Sequence, residues 1–288
     1  MRTTSADAAA ARDGVRLAHI DFGGDGPPVV LLHGLAGHAG EWAETASWLR
    51  GPSRMLAPDA RGHGRSERAP SDVSRAAHVA DVAWLIRRLG LSPVVLVGQS
   101  LGGLTALLVA ARHPELVRGL VVADASPAGG DEDEPGEVMR FAAEVGASLG
   151  RWPVPFPSRE AAVKFFDGPS LSAEAWTDGL ERRDDGWYPQ FEVGVLVRTL
   201  REALERAYWP EWERIRCPTL VMRAGRGVIP AHGVQRWSTG SPTRGSWTFP
   251  RPSTTSISTA RPSGARRSAA SSMGSSSVAG PCSCGPCS

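Results

Sequence analysis

Cysteine is nearly missing from the body of this 288-residue chain: of its four cysteines, only Cys217 lies before residue 282. A disulfide framework is thereby excluded, and a reducing compartment is the expectation. The other three, Cys282, Cys284 and Cys287, read C-x-C-x-x-C, but no histidine or acid stands near them, so no metal site is expected. No apolar run reaches the length of a membrane span, and Met1 to Asp13 lacks the apolar centre of a secretory signal. The expectation is a cytoplasmic protein with no membrane partner. Net charge is only +2 and no basic stripe occurs, which argues against a nucleic-acid partner. Two further absences concern chemistry: no Asp or Glu follows Glu213, and no His follows His232.

What is present is an alternation of short apolar runs with amphipathic segments, the pattern of a mostly parallel sheet covered on both faces. Val29-Val30-Leu31-Leu32, Met55-Leu56-Ala57-Pro58, Val94-Val95-Leu96-Val97, Leu120-Val121-Val122-Ala123 and Leu220-Val221-Met222 are the strand candidates. Ala43 to Leu49, Val73 to Leu89 and Leu101 to Ala111 are the covering helices, the last stopped by His113-Pro114. The length suits one α/β domain with an insertion.

The most informative stretch is Gly98-Gln99-Ser100-Leu101-Gly102-Gly103, directly after an apolar run. It reads as strand, tight turn, helix, with a serine at the turn. A serine hydroxyl is a poor nucleophile at neutral pH and must be lifted out of the fold and handed to a base. On such a turn, side chains two residues either side of the serine would collide with neighbouring chain, so glycine is required at 98 and 102. The helix that follows aims free N–H groups at the reaction centre, Leu101 N–H among them. An ordinary glycine-rich βα turn is the competing reading of the motif taken alone.

Two more motifs accompany it. His33-Gly34-Leu35-Ala36-Gly37 follows the run at 29–32, and Asp59-Ala60-Arg61-Gly62-His63-Gly64-Arg65-Ser66 follows the run at 55–58. H-G-x-x-G, D-x-R-G-x-G-x-S and G-x-S-x-G, in this order, resemble the α/β-hydrolase superfamily, specifically its lid-bearing, esterase-like serine hydrolases. The resemblance covers residues 15 to 237. It implies a mostly parallel sheet with helices on both faces and a helical lid after the sixth core strand. The implied division is core at 1–125, lid at 126–212, core again at 213–237 and an atypical tail at 238–288.

The resemblance also implies roles. Ser100 is the nucleophile, and Leu35 and Leu101 N–H groups hold the oxyanion. His33, Gly34, Gly98 and Gly102 are structural, with His33 and His63 tying loops together and Arg61 and Asp59 pinning the loop after the fourth strand. The substrate is a small ester-like molecule, and no cofactor is called for. Dehalogenase and epoxide-hydrolase chemistry is disfavoured, because those relatives carry Asp where this chain has Ser100. The lid segment holds most of the aromatics, among them Phe141, Trp152, Phe156, Phe165, Phe166, Trp176, Trp187, Tyr188, Trp209 and Trp212. These rings suit an apolar acyl pocket, or they form the lid's own core.

The triad acid follows the seventh strand in most of the family, and sometimes the sixth. Arg226 stands where the seventh-strand acid is usual, so Asp124, after the sixth strand, is the candidate. A turn or helix cap is its bland alternative. The base is the larger problem. From Ser238 onward the chain is Ser, Thr, Pro, Arg, Gly and Ala without apolar periodicity, which composition reads as disorder and which leaves out the family's final strand, histidine loop and helix. His232 lies on the wrong loop. Read one base earlier, the codons after Trp237 permit a strand-like run followed by His-Asp-x-His-x-Asp-x-Pro, which is similar to the family's histidine segment. A frameshifted tail and a divergent one are the two explanations. Sequencing the gene across the codons for Arg236 to Pro262 separates them: an extra or missing base is the expected result, and an unaltered reading makes the tail genuine.

Overall fold

The computed structural model describes residues 6–49, 51–129, 136–168 and 170–224, and the backbone of 244–249 and 266–267. Its centre is a nine-stranded sheet built from β1 (Ala6–Arg12), β2 (Val15–Gly23), β3 (Pro28–Leu32), β4 (Arg54–Pro58), β5 (Val94–Gln99), β6 (Val117–Ala123), β9 (Thr219–Ala224), β10 (Arg244–Phe249) and β11 (Arg266–Arg267). A separate hairpin pairs β7 (Leu180–Arg183) with β8 (Gly186–Pro189). The sheet order is β1-β2-β4-β3-β5-β6-β9-β10-β11. Neighbours from β4 to β10 run parallel, and the outer pairs β1/β2, β2/β4 and β10/β11 are antiparallel.

Apolar runs become central strands here because both faces are covered. On β3, Val30 and Leu32 face one core while Val29 and Leu31 face the other. The first core is closed by α2 (Arg75–Arg88), α3 (Leu101–Arg112) and α8 (Trp209–Arg214). The second is smaller, filled by Ala39 and Trp42 of a 3₁₀ turn (Ala39–Trp42) and by Ala46 of α1 (Ala43–Leu49). Helix α3 is buried along nearly its whole length, Leu101 to Ala110, which is why it reads as continuously apolar rather than amphipathic.

The expected strands and helices form within three residues of their readings. Two things differ. Ala6–Arg12 is a strand although its alanines favour helix, because β2 offers it a full antiparallel ladder from Ala6↔Asp21 to Arg12↔Val15. The tail was expected to hold no strand and to leave the sheet edge open, yet Arg244–Phe249 pairs in parallel with β9, Trp247 opposite Met222. The unpaired backbone of a parallel strand is a template, and β9 offers one to this segment. His232, Arg226, the acidic run Asp131 to Glu134 and the cysteines of the C-terminus lie outside the described residues.

Between β6 and β9 the chain makes an excursion through α4 (Glu137–Gly150), α5 (Arg159–Phe165), α6 (Leu171–Asp178), the β7/β8 hairpin and α7 (Val193–Leu204). It leaves and returns at one point: Tyr208 N–H donates to the Pro127 carbonyl at 2.6 Å. A Cβ at Gly129 would fall 2.7 Å from Ala207 N, so only glycine lets entry and exit touch. Trp152 is the hub of the segment's own core, with Phe166 at 4.8 Å and Trp176 and Phe191 each at 5.5 Å between ring centroids. Most of the rings therefore pack on one another; Phe165 packs edge-on against Phe156 and Phe166 with part of its ring exposed, and Phe141 stays exposed.

Beneath the sheet ends the loops are fastened by buried polar groups. Arg61 grips Asp81 of α2 with two bonds, at 2.6 and 2.8 Å, and donates to the Asp72 carbonyl at 2.7 Å. Asp59 accepts from Ala39 N–H at 2.6 Å and Arg65 N–H at 3.0 Å, joining the loop after β3 to the loop after β4. His33, His63 and His78 are buried around a cavity of about 40 Å³. Burial holds their imidazoles neutral: His33 is lowered, His63 is pushed down to about 3, and His78 lies well below the usual range. Burial pushes the Glu41 carboxyl the other way, up to about 8.

A histidine that stays neutral in the fold but protonates when unfolded stabilises fully above its unfolded value. That contribution is lost as pH falls toward the folded one. His63 costs about 1.4 kcal/mol per pH unit below roughly 6.5, His33 and His78 act in the same direction, and Glu41 opposes them. The urea midpoint is therefore expected to fall steadily from pH 7 to pH 5. A midpoint constant over that interval would contradict the neutral cluster.

Candidate active site

Strand register brings the site together. In this sheet the chain steps from β3 outward to β4 and then crosses back to β5 on the other flank. The C-terminal ends of β3 and β5 thus form a switch point, where open α/β sheets place their sites. Leu32 pairs with Gly98, and Gln99 pairs with Ala123. Two residues past the first pair and one past the second, Gly34, Ser100 and Asp124 stand in a row across three strand ends. Ser100 N–H donates to the Ala123 carbonyl at 2.8 Å, and Asp124 N–H to the Met222 carbonyl at 2.8 Å, extending the ladder through that row.

Ser100 sits at φ 50°, ψ −121°, a conformation that costs a non-glycine residue about 1–3 kcal/mol. It immediately precedes α3, yet its hydroxyl makes no capping bond to that helix. The surroundings hold it there. A Cβ on Gly98 would fall 2.7 Å from Gly103 Cα, and one on Gly102 would overlap the Leu32 and His33 carbonyls. A Cβ on Gly103 would meet Ala125 Cβ at 2.7 Å. Helix α3 is thus pressed against the ends of β3, β5 and β6 at a distance only glycine permits, with the Leu101 N–H at its first turn. On the facing loop, a Cβ on Gly34 would lie 3.4 Å from Ser100 Cβ and overlap the Gln99 amide. Leu35 follows at once, and Ala36 turns the loop at φ 60°.

Asp124 is buried at the end of β6, at φ 47°. His33 spends both ring nitrogens on backbone: Nδ1–H donates to the Gly34 carbonyl at 2.8 Å, and Nε2 accepts from Ala60 N–H at 2.9 Å. His63 Nδ1–H donates to the Arg61 carbonyl at 3.1 Å. Both rings are loop ties in this geometry, 5.1 Å apart between centroids. Among the described residues, no histidine hydrogen-bonds the Ser100 hydroxyl.

Sequence reasoning passes over two residues that the structure puts beside this row. The Glu41 carboxyl is tucked under the loop, where a Cβ on Gly37 would lie 2.6 Å from Oε2. His38 caps the 3₁₀ turn, its Nδ1 accepting from Gly40 N–H at 3.1 Å, and reaches across to the Ala175 carbonyl with Nε2–H at 2.8 Å. The only local signal is the cap position ahead of Ala39–Trp42; the partner is 137 residues away. A second link from the excursion lands on the loop after β4. Arg68 holds Glu181 of β7 with two bonds, at 2.8 and 2.7 Å, and brings that carboxyl down to about 2.

Comparison with known proteins fits this architecture. Residues 27–147 match the family model described as alpha/beta hydrolase fold. The sn-1-specific diacylglycerol lipase ABHD11 of Mus musculus is 45% identical over 105 residues, 36% of this chain and 34% of the lipase; the match thus spans about a third of that relative's length. The 2-(acetamidomethylene)succinate hydrolase of Mesorhizobium japonicum is 27% identical over 206 residues, 69% of this chain and 71% of that protein. The crystal structure of E-2-(acetamidomethylene)succinate hydrolase superposes with a TM-score of 0.73 at 22% identity, covering 85% of this chain and 90% of its own. These relatives are hydrolases. With the sheet order, the glycine-packed turn and the family match in agreement, the chain has the α/β-hydrolase fold, and its residues 27–147 match the alpha/beta hydrolase family model.

Proposed function

We propose that the chain is built as a serine hydrolase for a carboxylic ester or related small acyl substrate. Ser100 attacks the acyl carbonyl, Leu35 and Leu101 N–H groups receive the oxyanion, and Asp124 orients a histidine that takes the serine proton and passes it to the leaving group. Water then releases the acyl group. The single observation that carries the reading is Ser100 itself: a serine in a strained conformation, with its hydroxyl uncommitted to the helix it precedes. A protein that used this turn only for structure would gain by replacing Ser100 with glycine, which takes that φ without strain.

The excursion between β6 and β9 is the lid in this proposal. Its aromatic rings support an apolar roof less strongly than their number suggests, because most pack on one another. The relatives differ in what their names say they act on, a diacylglycerol and an acetamidomethylene succinate, so what supports this chain's reading is their common hydrolytic chemistry. The cytoplasmic location belongs to the same proposal; no described helix is long and apolar enough to cross a membrane.

A second reading has its own observation. No described histidine reaches Ser100, and this favours a ligand-binding protein, or an inactive gene product, on the same fold. Ester turnover separates the two. The chain as written is expected to hydrolyse a short acyl ester feebly, since losing the histidine of such a triad lowers kcat by roughly 10⁶-fold. The chain carrying the shifted reading frame is expected to turn the ester over at an ordinary rate, and Ser100→Ala to abolish it. Turnover that survives Ser100→Ala overturns the hydrolase reading, and tight ester binding without turnover in both chains favours the binder.

A further inference from the structure

The loop that carries Leu35 and the segment read as a lid are hydrogen-bonded to each other through the side chain of His38. His38 stands three residues after Leu35. One ring nitrogen holds the loop's own turn through Gly40, and the other holds the last turns of α6 through the Ala175 carbonyl. The ring is seated between two glycines. A Cβ on Gly40 would lie 2.7 Å from His38 Cε1, and a Cβ on Gly179, the residue that ends α6, would lie 2.7 Å from Cδ2. Neither glycine carries a positive φ. The space each leaves is therefore filled by this ring rather than demanded by its backbone.

The loop is also anchored toward the core, His33 to Ala60 and Ala39 to Asp59, and within itself, Gly37 N–H to the Gly34 carbonyl at 3.2 Å. Resting on the hydrolase reading above, we propose that His38 is a positioning residue that latches α6 of the lid to the oxyanion loop, so that lid seating and the placement of Leu35 N–H form one equilibrium. Geometry assigns the working state of the ring. Nε2 must carry the proton to donate to a carbonyl, and Nδ1 must be bare to accept from Gly40 N–H. The Arg68–Glu181 pair holds the β7/β8 hairpin separately, to the loop after β4. Loss of the His38 bond thus frees α6 without releasing the whole excursion.

The two bonds of His38 can be cut one at a time. Asn offers an acceptor near the Nδ1 position and is a good cap, but it is too short to reach Ala175. Gln offers a donor at the reach of Nε2 and gives up the cap. Amide hydrogen exchange on the full chain reads both variants without any chemistry at Ser100, so the latch and the hydrolase reading fail independently. In His38→Asn, exchange of the 171–178 amides and of the 34–37 amides is expected to quicken together by about 3- to 10-fold, what one hydrogen bond is worth. The 39–42 turn keeps its protection. In His38→Gln the loss is expected at 39–42 alone, with α6 protected as in the parent. Parent-like exchange of α6 in His38→Asn, α6 loosened alone while 34–37 is unmoved, or equal loosening of α6 in both variants overturns the proposal.

Discussion

Everything at the candidate site depends on how closely α3 approaches the ends of three strands. At Gly98, Gly102 and Gly103 the helix and strands touch backbone to backbone, and a single methyl at any of them would overlap a neighbouring carbonyl, Cα or Cβ. This contact forces Ser100 into its positive φ and directs the start of α3 at the row of residues beyond the strands. It is also why α3 is apolar on every side. A helix held that near a sheet has no face left for water, and Leu104, Leu107, Leu108 and Val109 fill the first core from within. The local strain at Ser100 is tolerable because burial of that helix offsets it many times over.

Around that contact, the loops are held by charges and rings that never meet bulk water. Arg61 and Asp81 are a buried pair, with Arg12 also on Asp81; loss of the Asp81 carboxylate would leave the buried Arg61 charge uncompensated. Asp59 and His33 do the same work by bonding backbone, one N–H group at a time. The consequence is a division of labour between similar residues. The histidines of the sequence motifs are tied to loops rather than to the serine: His33 has both ring nitrogens on backbone, His63 has Nδ1 on the Arg61 carbonyl, and burial lowers both imidazoles.

Much of this was legible in the sequence, for a physical reason. Doubly buried strands leave uninterrupted apolar runs, so β3, β4, β5, β6 and β9 stand out, and glycine-only contacts leave glycine at fixed offsets from Ser100. What escaped were features decided by distant partners. The alanines of β1 have no strand preference of their own and take the conformation of the ladder they join. The Trp152 cluster gave no sign from spacing alone whether its rings would face a ligand or each other. His38 looks like a cap and nothing else until Ala175, 137 residues on, is brought beside it.

The meeting of Pro127 with Tyr208 makes the excursion between β6 and β9 a loop tied at its neck. A tied loop is topologically optional. Its closure entropy grows only with the logarithm of its length, so doubling it costs about 0.6 kcal/mol. Ala203 of α7 joins the first core, and the His38 and Arg68 links tie the segment to the loops beneath. Away from those points evolution can rewrite this part of the molecule, in length and in composition, while the turn at Ser100 admits almost no change. One scaffold can in this way present the same serine to many different roofs.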